Sequence, residues 1–491
     1  MIEHVRDLRV ANSYAELPPA FYTKLRPQPL TNPRLLHANP DVLRDMGLSP
    51  RLASDPDFAQ VCAGNAPLPN GNTLAAVYSG HQFGVWAGQL GDGRAHLLGE
   101  VITSTGHWEW QLKGSGKTPY SRMGDGRAVL RSSVREYLAS EAMHGLGIPT
   151  TRALALVVSD DPVYRETVET AAIVTRVSPT FVRFGTFEHF SNSPAEQRAL
   201  LDYVITRFYP ECRPPDNDGE PDVPGMALCF LDGVVQRTAR LMADWMTVGF
   251  CHGVMNTDNM SVLGLTIDYG PYGFMDAFQA NHICNHTDTQ GRYAWNAQPS
   301  VGHWNLYRLA GSFLSLGVEP DALREVLDGY EAAFLDAYHR NMVLKFGLRQ
   351  WEDGDQQLAD DWWKLLHTNQ ADFTLSFREL ADAPEIPDAF VSRFADQGAA
   401  REWLDRYIVR LQRDNRPVEE RKASMNGVNP VYVLRNHLAQ QAIEAAGQGD
   451  VSEIDTLLML LRDPYYERPG YDAFAQAPPP SAAHIQVSCS S

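Results

Sequence analysis

The sequence predicts an α+β protein of two lobes, in which a strand-rich N-terminal lobe precedes a helical C-terminal lobe. Residues 78–177 contain alternating and apolar runs that are typical of strands, with one helical segment among them. From Ser193 to about Leu461 the apolar residues instead follow helical spacing. A cleft between two such lobes is the default position for a ligand.

The first half contains strand patterns on both sides of one predicted helix. Residues 108–112 alternate apolar and polar side chains, and the later runs 153–158 and 171–177 are apolar and β-like. The segment 133–144 is predicted to be helical, because Ser133 and Glu136 have the spacing of a capping box. The residues from Gly145 to Pro149 predict the end of this helix.

The second half begins at Ser193-Pro194, a favourable helix start, and continues with a long apolar-periodic segment over 227–250. The Pro-rich stretch 214–224 predicts a surface loop, and residues 464–491 predict an extended tail. We therefore expect an N-terminal extension at 1–75, a strand-rich lobe at 76–185, a helical lobe at 186–463 and a C-terminal tail at 464–491.

Composition narrows the possible functions. A net charge of −18 argues against nonspecific nucleic-acid binding, which needs a basic surface. The six cysteines form no CxxC pair, so we expect reduced thiols and no structural zinc site. The sequence has neither a signal-peptide pattern nor an apolar run of roughly 18 residues, which predicts a cytoplasmic protein without a membrane span. We expect a monomer, since no coiled coil or repeat demands a second subunit.

The most informative motif is the segment from His252 to Asn259, which is followed by Asp268-Tyr269-Gly270. Protein and small-molecule kinases have His, then Asp and Asn in one loop, and Asp-aromatic-Gly after a short hairpin. Their Asn and second Asp bind magnesium, and the metal bridges the phosphates of ATP. Isolated Asp and Asn residues are often turn residues, but their combination at this interval favours an ATP site on a protein-kinase-like fold.

One position departs from the kinase pattern, because Val254 stands where a kinase has its catalytic Asp. Valine cannot accept a proton from a hydroxyl group, so the usual base is missing. Asp258 is a carboxylate that could replace it, but not necessarily for attack on a γ-phosphate. Three hypotheses therefore stay open: transfer of the nucleotidyl group, a phosphotransferase with a displaced base, and a catalytically inactive ATP-binding scaffold.

Basic residues and glycine turns lie near the same predicted cleft. Lys113 ends a predicted strand, as the phosphate-binding lysine of a kinase does, and Glu136 is its candidate partner in the next helix. Gly-Asp-Gly-Arg occurs at 91–94 and again at 124–127, and such turns allow backbone and arginine contacts with phosphate. Each feature alone has an ordinary alternative, namely an edge-strand lysine, a capping residue, a hairpin or a surface arginine. Together with Arg176 and Arg183, they predict a tightly held triphosphate.

These motifs together resemble the selenoprotein O family, whose members have a kinase fold and were first classed as pseudokinases. The resemblance covers nearly the whole chain. The matching segments are 78–84, 89–94, 111–116, 124–130, 252–259, 268–271, 429–430, 434–437 and 489–491. The last of them, Cys489-Ser490-Ser491, is similar to a tail that carries selenocysteine in the animal members.

The resemblance implies a protein adenylyltransferase that binds ATP in an inverted orientation, with the γ-phosphate buried and the α-phosphate facing the acceptor. AMP would then be esterified to Ser, Thr or Tyr of a protein and pyrophosphate would leave. UMP transfer from UTP is implied as well, since some relatives perform it. An inverted nucleotide also accounts for Val254, because a base placed for attack on the γ-phosphate would have no use.

The resemblance also implies roles for individual residues. Asp258 would accept the proton, while Asn259 and Asp268 would ligate Mg²⁺ or Mn²⁺. Lys113, Arg176 and Arg183 would hold the phosphates, with Glu136 orienting Lys113. The residues expected to contact the nucleotide are Gly91, Gly93, Arg94, Lys113, Asp125, Gly126, Glu136, Arg176, Arg183 and Asp268.

A redox switch is a further implication of the resemblance. It would consist of a disulfide between Cys284, which follows Asp268 in the chain, and Cys489 in the tail. Such a bond would tie the tail across the cleft. Disulfides of cytosolic proteins are usually transient or regulatory, which suits a switch.

Overall fold

The computed structural model describes residues 1–213, 222–485 and 487. The strands are β1 Arg9–Ala11, β2 Tyr22–Lys24, β3 Arg34–Ala38, β4 Leu74–Ala76, β5 Ser79–Gln82, β6 Val85–Gln89, β7 Ala95–Thr103, β8 Gly106–Lys113, β9 Ala128–Val129, β10 Arg152–Tyr164, β11 Val168–Ser178, β12 Phe250–Cys251 and β13 Gly273–Phe274. The protein is thus a mixed α/β structure in which most strands precede most helices.

The helices dominate after residue 184. They are α1 Pro40–Asp45, α2 Pro56–Cys62, α3 Leu130–Gly145, α4 Phe184–His189, α5 Pro194–Phe208, α6 Val223–Thr247, α7 Gln298–Gly311, α8 Pro320–Lys345, α9 Asp355–Asn369, α10 Phe373–Glu379, α11 Pro387–Val391, α12 Gln397–Asp414, α13 Val418–Asn426, α14 Asn436–Gly447 and α15 Ser452–Arg462. None of the helices in the described ranges is long and apolar enough to cross a bilayer.

One nine-stranded sheet organises the first half of the chain. Its strand order is β2-β4-β7-β8-β11-β10-β3, with β1 beside β7 and β9 beside β11, and the pairs within it are antiparallel. The predicted strands 108–112, 153–158 and 171–177 are confirmed as parts of β8, β10 and β11. Strands β1 to β4 come from residues 9–76, so the expected N-terminal extension shares this sheet.

Helix α3 begins earlier than the sequence predicts. Its first residue is Leu130, and Val129 before it makes no side-chain capping bond. Ser133 and Glu136 therefore lie inside the helix, and the Ser133 hydroxyl has no hydrogen-bond partner in the described part of the chain. The predicted capping box is wrong, because packing of α3 against β10 and β11 decides where the helix starts.

The helical second half agrees with the sequence in its main features. Ser193 directly precedes α5, as predicted, and the helices end at Arg462, close to the predicted limit. Helix α6 begins at Val223 rather than at residue 227 and ends before Phe250, which is already in β12. Most of the predicted loop 214–224 lies outside the described residues. The tail is extended only in part, because it forms short 3₁₀ turns at Asp472–Ala475 and Pro480–His484.

The expectation that all cysteines are reduced is wrong for one pair. Cys212, in the turn after α5, forms a disulfide with Cys229 of α6. Their Cα atoms are 5.5 Å apart, which is an ordinary separation for such a bond. A spacing of 17 residues matches no cysteine motif, so this pairing could not be predicted from the sequence.

Close packing at the end of α3 predicts a strong effect of one methyl group. A Cβ on Gly145 would lie 1.8 Å from the carbonyl oxygen of Leu461 in α15. We expect Gly145→Ala to lower the free energy of unfolding by about 2 kcal/mol or more, because neither helix can move without disturbing the core. Gly329→Ala in α8 is the matched control, since a Cβ there has no neighbour within 4 Å. Gly329→Ala should raise the free energy of unfolding by up to about 1 kcal/mol. Equal thermal midpoints for the two variants would contradict the close contact between Gly145 and Leu461.

A buried lysine predicts a pH dependence of stability. Lys345 is 4% exposed, and burial lowers the pKa of its ammonium group to about 7. Because an unfolded lysine titrates near 10.4, the folded state is penalised below pH 7, and the penalty disappears as pH rises toward 10. We expect Lys345→Met to raise the free energy of unfolding at pH 7 by a few kcal/mol.

The pH dependence distinguishes this effect from a simple gain of apolar contact. The advantage of Lys345→Met over the wild type should shrink between pH 7 and pH 10. The exposed Lys364→Met in α9 is the control and should show no such trend. Thermal or urea unfolding at several pH values measures the free energy of unfolding of both variants. If the difference between Lys345→Met and the wild type did not change with pH, titration of Lys345 would be excluded as the cause.

Candidate active site

A cavity of about 800 Å³ lies where the sheet meets the segment that follows β12. The strand end of β8, the turns after β6 and before β9, and residues 254–271 contribute to its wall. The predicted site residues that line it are Gly91, Gly93, Arg94, Lys113, Asp125, Gly126, Arg176, Asp258, Asn259 and Asp268. Glu136 and Arg183 lie behind this wall, and each contacts a residue in it.

The predicted pair of Lys113 and Glu136 is formed. The Lys113 Nζ atom lies 2.6 Å from Glu136 Oε2 and 3.5 Å from Asp268 Oδ1. This is possible because the end of β8 faces the second turn of α3, where Glu136 is only 2% exposed. Burial lowers the pKa of Lys113, although Glu136 and Asp268 act in the opposite direction.

Asp268 joins three buried cations. Its Oδ2 atom lies 2.6 Å from Nη1 of Arg183, while Oδ1 is paired with Arg176 and Lys113. Burial alone would raise the pKa of Asp268, but these cations overcome it and hold the pKa well below its usual range. The backbone of Asp268 has a φ of 59°, which is uncommon for a residue other than glycine. We name Lys113, Arg176, Arg183, Glu136 and Asp268 the charge cluster.

The two arginines of the charge cluster are each fixed by a second contact. Arg176, in β11, lies 3.0 Å from Glu136 Oε1 and also donates to the side chain of Gln111. Arg183 precedes α4, lies over the Tyr78 ring at 4.6 Å and donates to the backbone oxygen of Asp258 at 2.9 Å. Both are 2% exposed, so their positions are set before any ligand arrives.

Asp258 lies in the 3₁₀ turn Thr257–Asn259, and β5 holds its carboxylate. Gln82 donates from Nε2 to Oδ2 at 3.2 Å, and a Cβ on Gly80 would lie only 3.1 Å from Oδ1. Among the described residues, Oδ1 is buried without a hydrogen-bond partner. Burial raises the pKa of Asp258 to about 6, against the lowering effect of Arg183. A carboxyl group with a pKa in this range is suited to accept a proton near neutral pH.

Two oxygen donors at the cavity fit a hard divalent cation. The Asn259 side chain donates from Nδ2 to the backbone oxygen of Val254 at 2.9 Å, which leaves its amide oxygen free for a metal. The carboxylate of Asp268 lines the same cavity. In the described ranges no group of three His, Cys, Asp or Glu residues forms a metal site by itself. A cation here would therefore need phosphate oxygens or water to complete its coordination.

The glycine turns are required by local packing. A Cβ on Gly91 would lie 2.5 Å from the Tyr120 ring, and one on Gly126 would lie 2.2 Å from the carbonyl carbon of Gly116. Asp125 of the second turn accepts two hydrogen bonds from Arg165, at 2.7 and 3.1 Å. These contacts fold the segment 114–127 over the cavity, so the turns shape its wall.

Three side-chain contacts near the cavity could not be predicted from the sequence. Gln82, Gln111 and Tyr78 contact Asp258, Arg176 and Arg183, respectively. Glutamine and tyrosine in a strand-like pattern have no signature that distinguishes a site residue from a structural one. Their only signal was that they lie within the segments 78–84 and 111–116 that carry the family resemblance.

The tail approaches the segment that contains Cys284. The His286 N–H group donates to the Val487 oxygen at 3.0 Å, and Asn285 forms an isolated bridge with Val487. Cys284 is buried, its thiol donates to the Pro271 oxygen at 2.9 Å, and burial raises its pKa. Cys489, the other member of the implied disulfide, lies outside the described residues.

Comparison with known proteins gives one consistent result. A family model described as "Protein adenylyltransferase SelO" matches residues 4–462 of this chain. The "Protein nucleotidyltransferase YdiU" of Bordetella petrii is 64% identical over 489 residues, covering 99% of this chain and 98% of that protein. The proteins of the same name from Bordetella parapertussis and Bordetella avium are 63% and 61% identical, and the alignments cover 99% and 100% of both chains, respectively.

The charge cluster predicts that one carboxylate stabilises the ligand-free protein. Asp268→Asn leaves Lys113, Arg176 and Arg183 with too little negative charge, so we expect the free energy of unfolding to fall by about 3–5 kcal/mol. ATP added without metal should recover part of this loss, because its phosphates supply negative charge. Thermal unfolding with and without ATP measures both effects.

A surface ion pair provides the control for this measurement. Asp388, which is 92% exposed in its pair with Arg401, should cost less than about 1 kcal/mol when changed to Asn. ATP should shift the midpoint of Asp388→Asn only as much as that of the wild type. An Asp268→Asn protein that unfolds like the wild type, in either condition, would contradict the role of Asp268 as counter-ion.

Proposed function

The chain belongs to the protein adenylyltransferase SelO family, and we propose that it transfers AMP from ATP to Ser, Thr or Tyr hydroxyl groups of proteins, with release of pyrophosphate. It is a nucleotidyltransferase by membership of this family. The single observation that best supports AMP transfer is the charge cluster, in which the buried Lys113 and Arg176 line the cavity and the buried Arg183 lies directly behind its wall. Such a site suits the terminal phosphates of a nucleotide whose α-phosphate points toward the acceptor.

The position of the proton acceptor supports the same proposal. Val254 lines the cavity at the place of the usual kinase base and has no group that accepts a proton. Asp258 lines the cavity too, and its carboxylate is held by Gln82. In the proposed reaction the acceptor oxygen forms a bond to the α-phosphorus while the bond from that phosphorus to the bridging oxygen breaks. Pyrophosphate leaves with the electron pair, and Asp258 takes the hydroxyl proton.

Each site residue then has one task. Lys113, Arg176 and Arg183 hold the β- and γ-phosphates, and Glu136 orients Lys113. Asn259 and Asp268 hold Mg²⁺ or Mn²⁺, which neutralises phosphate charge when bound. The remaining residues that line the nucleotide site are Gly91, Gly93, Arg94, Asp125 and Gly126.

The proposal extends to the architecture and to regulation. We assign a kinase-like N-lobe to residues 76–185, a helical C-lobe to 186–463, an N-terminal extension to 1–75 and a tail to 464–491. The sheet before residue 180 and the helices after it support this division. UTP is proposed as a second donor of a nucleotidyl group. A disulfide between Cys284 and Cys489 would close the tail over the site, and the contacts of Val487 with residues 285–286 support that position.

Labelled ATP tests the proposed reaction. The purified protein is incubated with Mg²⁺ or Mn²⁺, a reductant and ATP that carries its label in the α- or the γ-phosphate. We expect only the α label to become bound to protein, because the acceptor attacks the α-phosphorus. Asp258→Asn should reduce incorporation by at least about a hundredfold, since the proton acceptor is lost while the phosphate site remains.

The labels also separate the alternatives. Incorporation of the γ label alone would identify a phosphotransferase with a displaced base. Binding of ATP without incorporation of either label would identify an inactive scaffold. The control variant Asp388→Asn should transfer the label as the wild type does, since it lies at the surface.

A further inference from the structure

An exposed apolar hairpin stands beside the proposed catalytic carboxylate. Phe83, in the turn between β5 and β6, and Val85 and Trp86, at the start of β6, are 38%, 69% and 50% exposed. We call these residues the hairpin tip. Gln82, directly before them, donates to Asp258, and Phe83 lines the cavity. Whatever binds to the hairpin tip therefore lies next to the position of the acceptor hydroxyl.

Phe83, in the hairpin tip, is held in an unfavourable backbone conformation. Phe83 has a φ of 50°, in the left-handed region that bulky residues rarely adopt. Its N–H group donates to the Tyr293 hydroxyl at 2.9 Å and to Asn256 Oδ1 at 3.2 Å. The Phe83 ring also packs on the Tyr293 ring at 5.1 Å. These contacts keep a large aromatic side chain at the surface at the expense of backbone strain, which is typical of functional sites.

Two arginines that form no salt bridge with the described residues lie against the same hairpin. Arg292 and Arg308 lie over the Trp304 ring at 4.7 and 4.8 Å, and we call them the arginine pair. Trp304 packs on His81 of β5, and a Cβ on Gly84 would lie 2.8 Å from the Arg292 guanidinium carbon. In the part of the chain that the structure describes, neither arginine forms a salt bridge. Arginines that form no salt bridge are conspicuous in a protein with a net charge of −18.

We propose that the hairpin tip and the arginine pair together dock the acceptor protein through a segment that carries an apolar and an acidic residue near the modified hydroxyl. The apolar side chain packs on the hairpin tip, and the carboxylate pairs with the arginine pair. This inference rests on the proposed function and adds to it a class of acceptor. A nucleic acid is disfavoured as occupant, because a protein with a net charge of −18 repels a long polyanion.

Synthetic acceptor peptides test the proposed docking surface. Two peptides share one serine and a neighbouring leucine. On both sides of this pair, one peptide has glutamates and the other has lysines. With the full-length protein, we expect kcat/KM for the glutamate peptide to exceed that for the lysine peptide about tenfold, mainly through KM. Arg308→Glu should abolish or reverse this preference, because it changes the sign of the charge that meets the peptide.

A second variant tests the apolar part of the surface. Val85→Asp should raise KM for the leucine-containing peptides about tenfold and leave kcat nearly unchanged. Val409→Asp in α12 is the matched control, since Val409 is 55% exposed and far from β5 in the chain. ATP should raise the thermal midpoint of all three variants as much as that of the wild type, because Val85, Arg308 and Val409 do not line the cavity.

The outcomes separate this inference from the proposed function. If the wild type transfers no α label to any acceptor, the proposed function itself fails. If it transfers the label but Arg308→Glu and Val85→Asp retain the wild-type preference and KM, the docking surface is overturned. If sedimentation instead shows a wild-type dimer that Val85→Asp dissociates, with KM unchanged, the surface belongs to a second copy of the chain.

Discussion

The burial of three cations beside two carboxylates is the constraint on which the rest of the site depends. A buried charge is tolerated only when it is paired and hydrogen-bonded, and Lys113, Arg176 and Arg183 share Glu136 and Asp268 for this purpose. The five residues come from β8, α3, β11, the start of α4 and the segment after β12. The charge cluster therefore joins the sheet to the second half of the chain, and it fixes the cavity between them.

The same arrangement of charges favours the binding of a polyanion at the cavity. The charge cluster contains three cations and two carboxylates. One positive charge is therefore not neutralised within the cluster. Asp268 is shared between arginines and, in our proposal, a metal ion. When phosphates reach Arg176 and Arg183, each phosphate oxygen can replace one contact that the Asp268 carboxylate makes with an arginine. The Asp268 carboxylate is then available to the metal ion. Nucleotide binding and metal binding then support each other without a change of fold.

The residues that lie together at the cavity were easier to predict from the sequence than the elements around them. The interval between Asn259 and Asp268 and the order of Lys113 and Glu136 follow the kinase pattern, and our proposal gives each of these residues a task, so they remain visible in the chain. The start of α3 does not, because packing on the sheet outweighs the capping signal at Ser133. The Cys212–Cys229 disulfide depends on the distance between α5 and α6, which no local pattern reports. Likewise, β1 to β4 are short and irregularly spaced, and they become strands only because other strands offer partners: β7 for β1 and β4, β10 for β3, and β4 for β2.

The protein combines a negative net charge with two locally basic sites. A net charge of −18 disfavours polyanions at long range, yet the cavity wall and the Trp304 arginines are positive. Field lines from a few cations are concentrated where low-dielectric walls or aromatic rings exclude water, so a small anion is attracted at short range. A nucleotide or a single acidic side chain is small enough to meet only this local field, whereas a nucleic acid must also meet the acidic surface. In our proposal the acidic composition and the basic sites act together, because the first disfavours long polyanions and the second admits short ones.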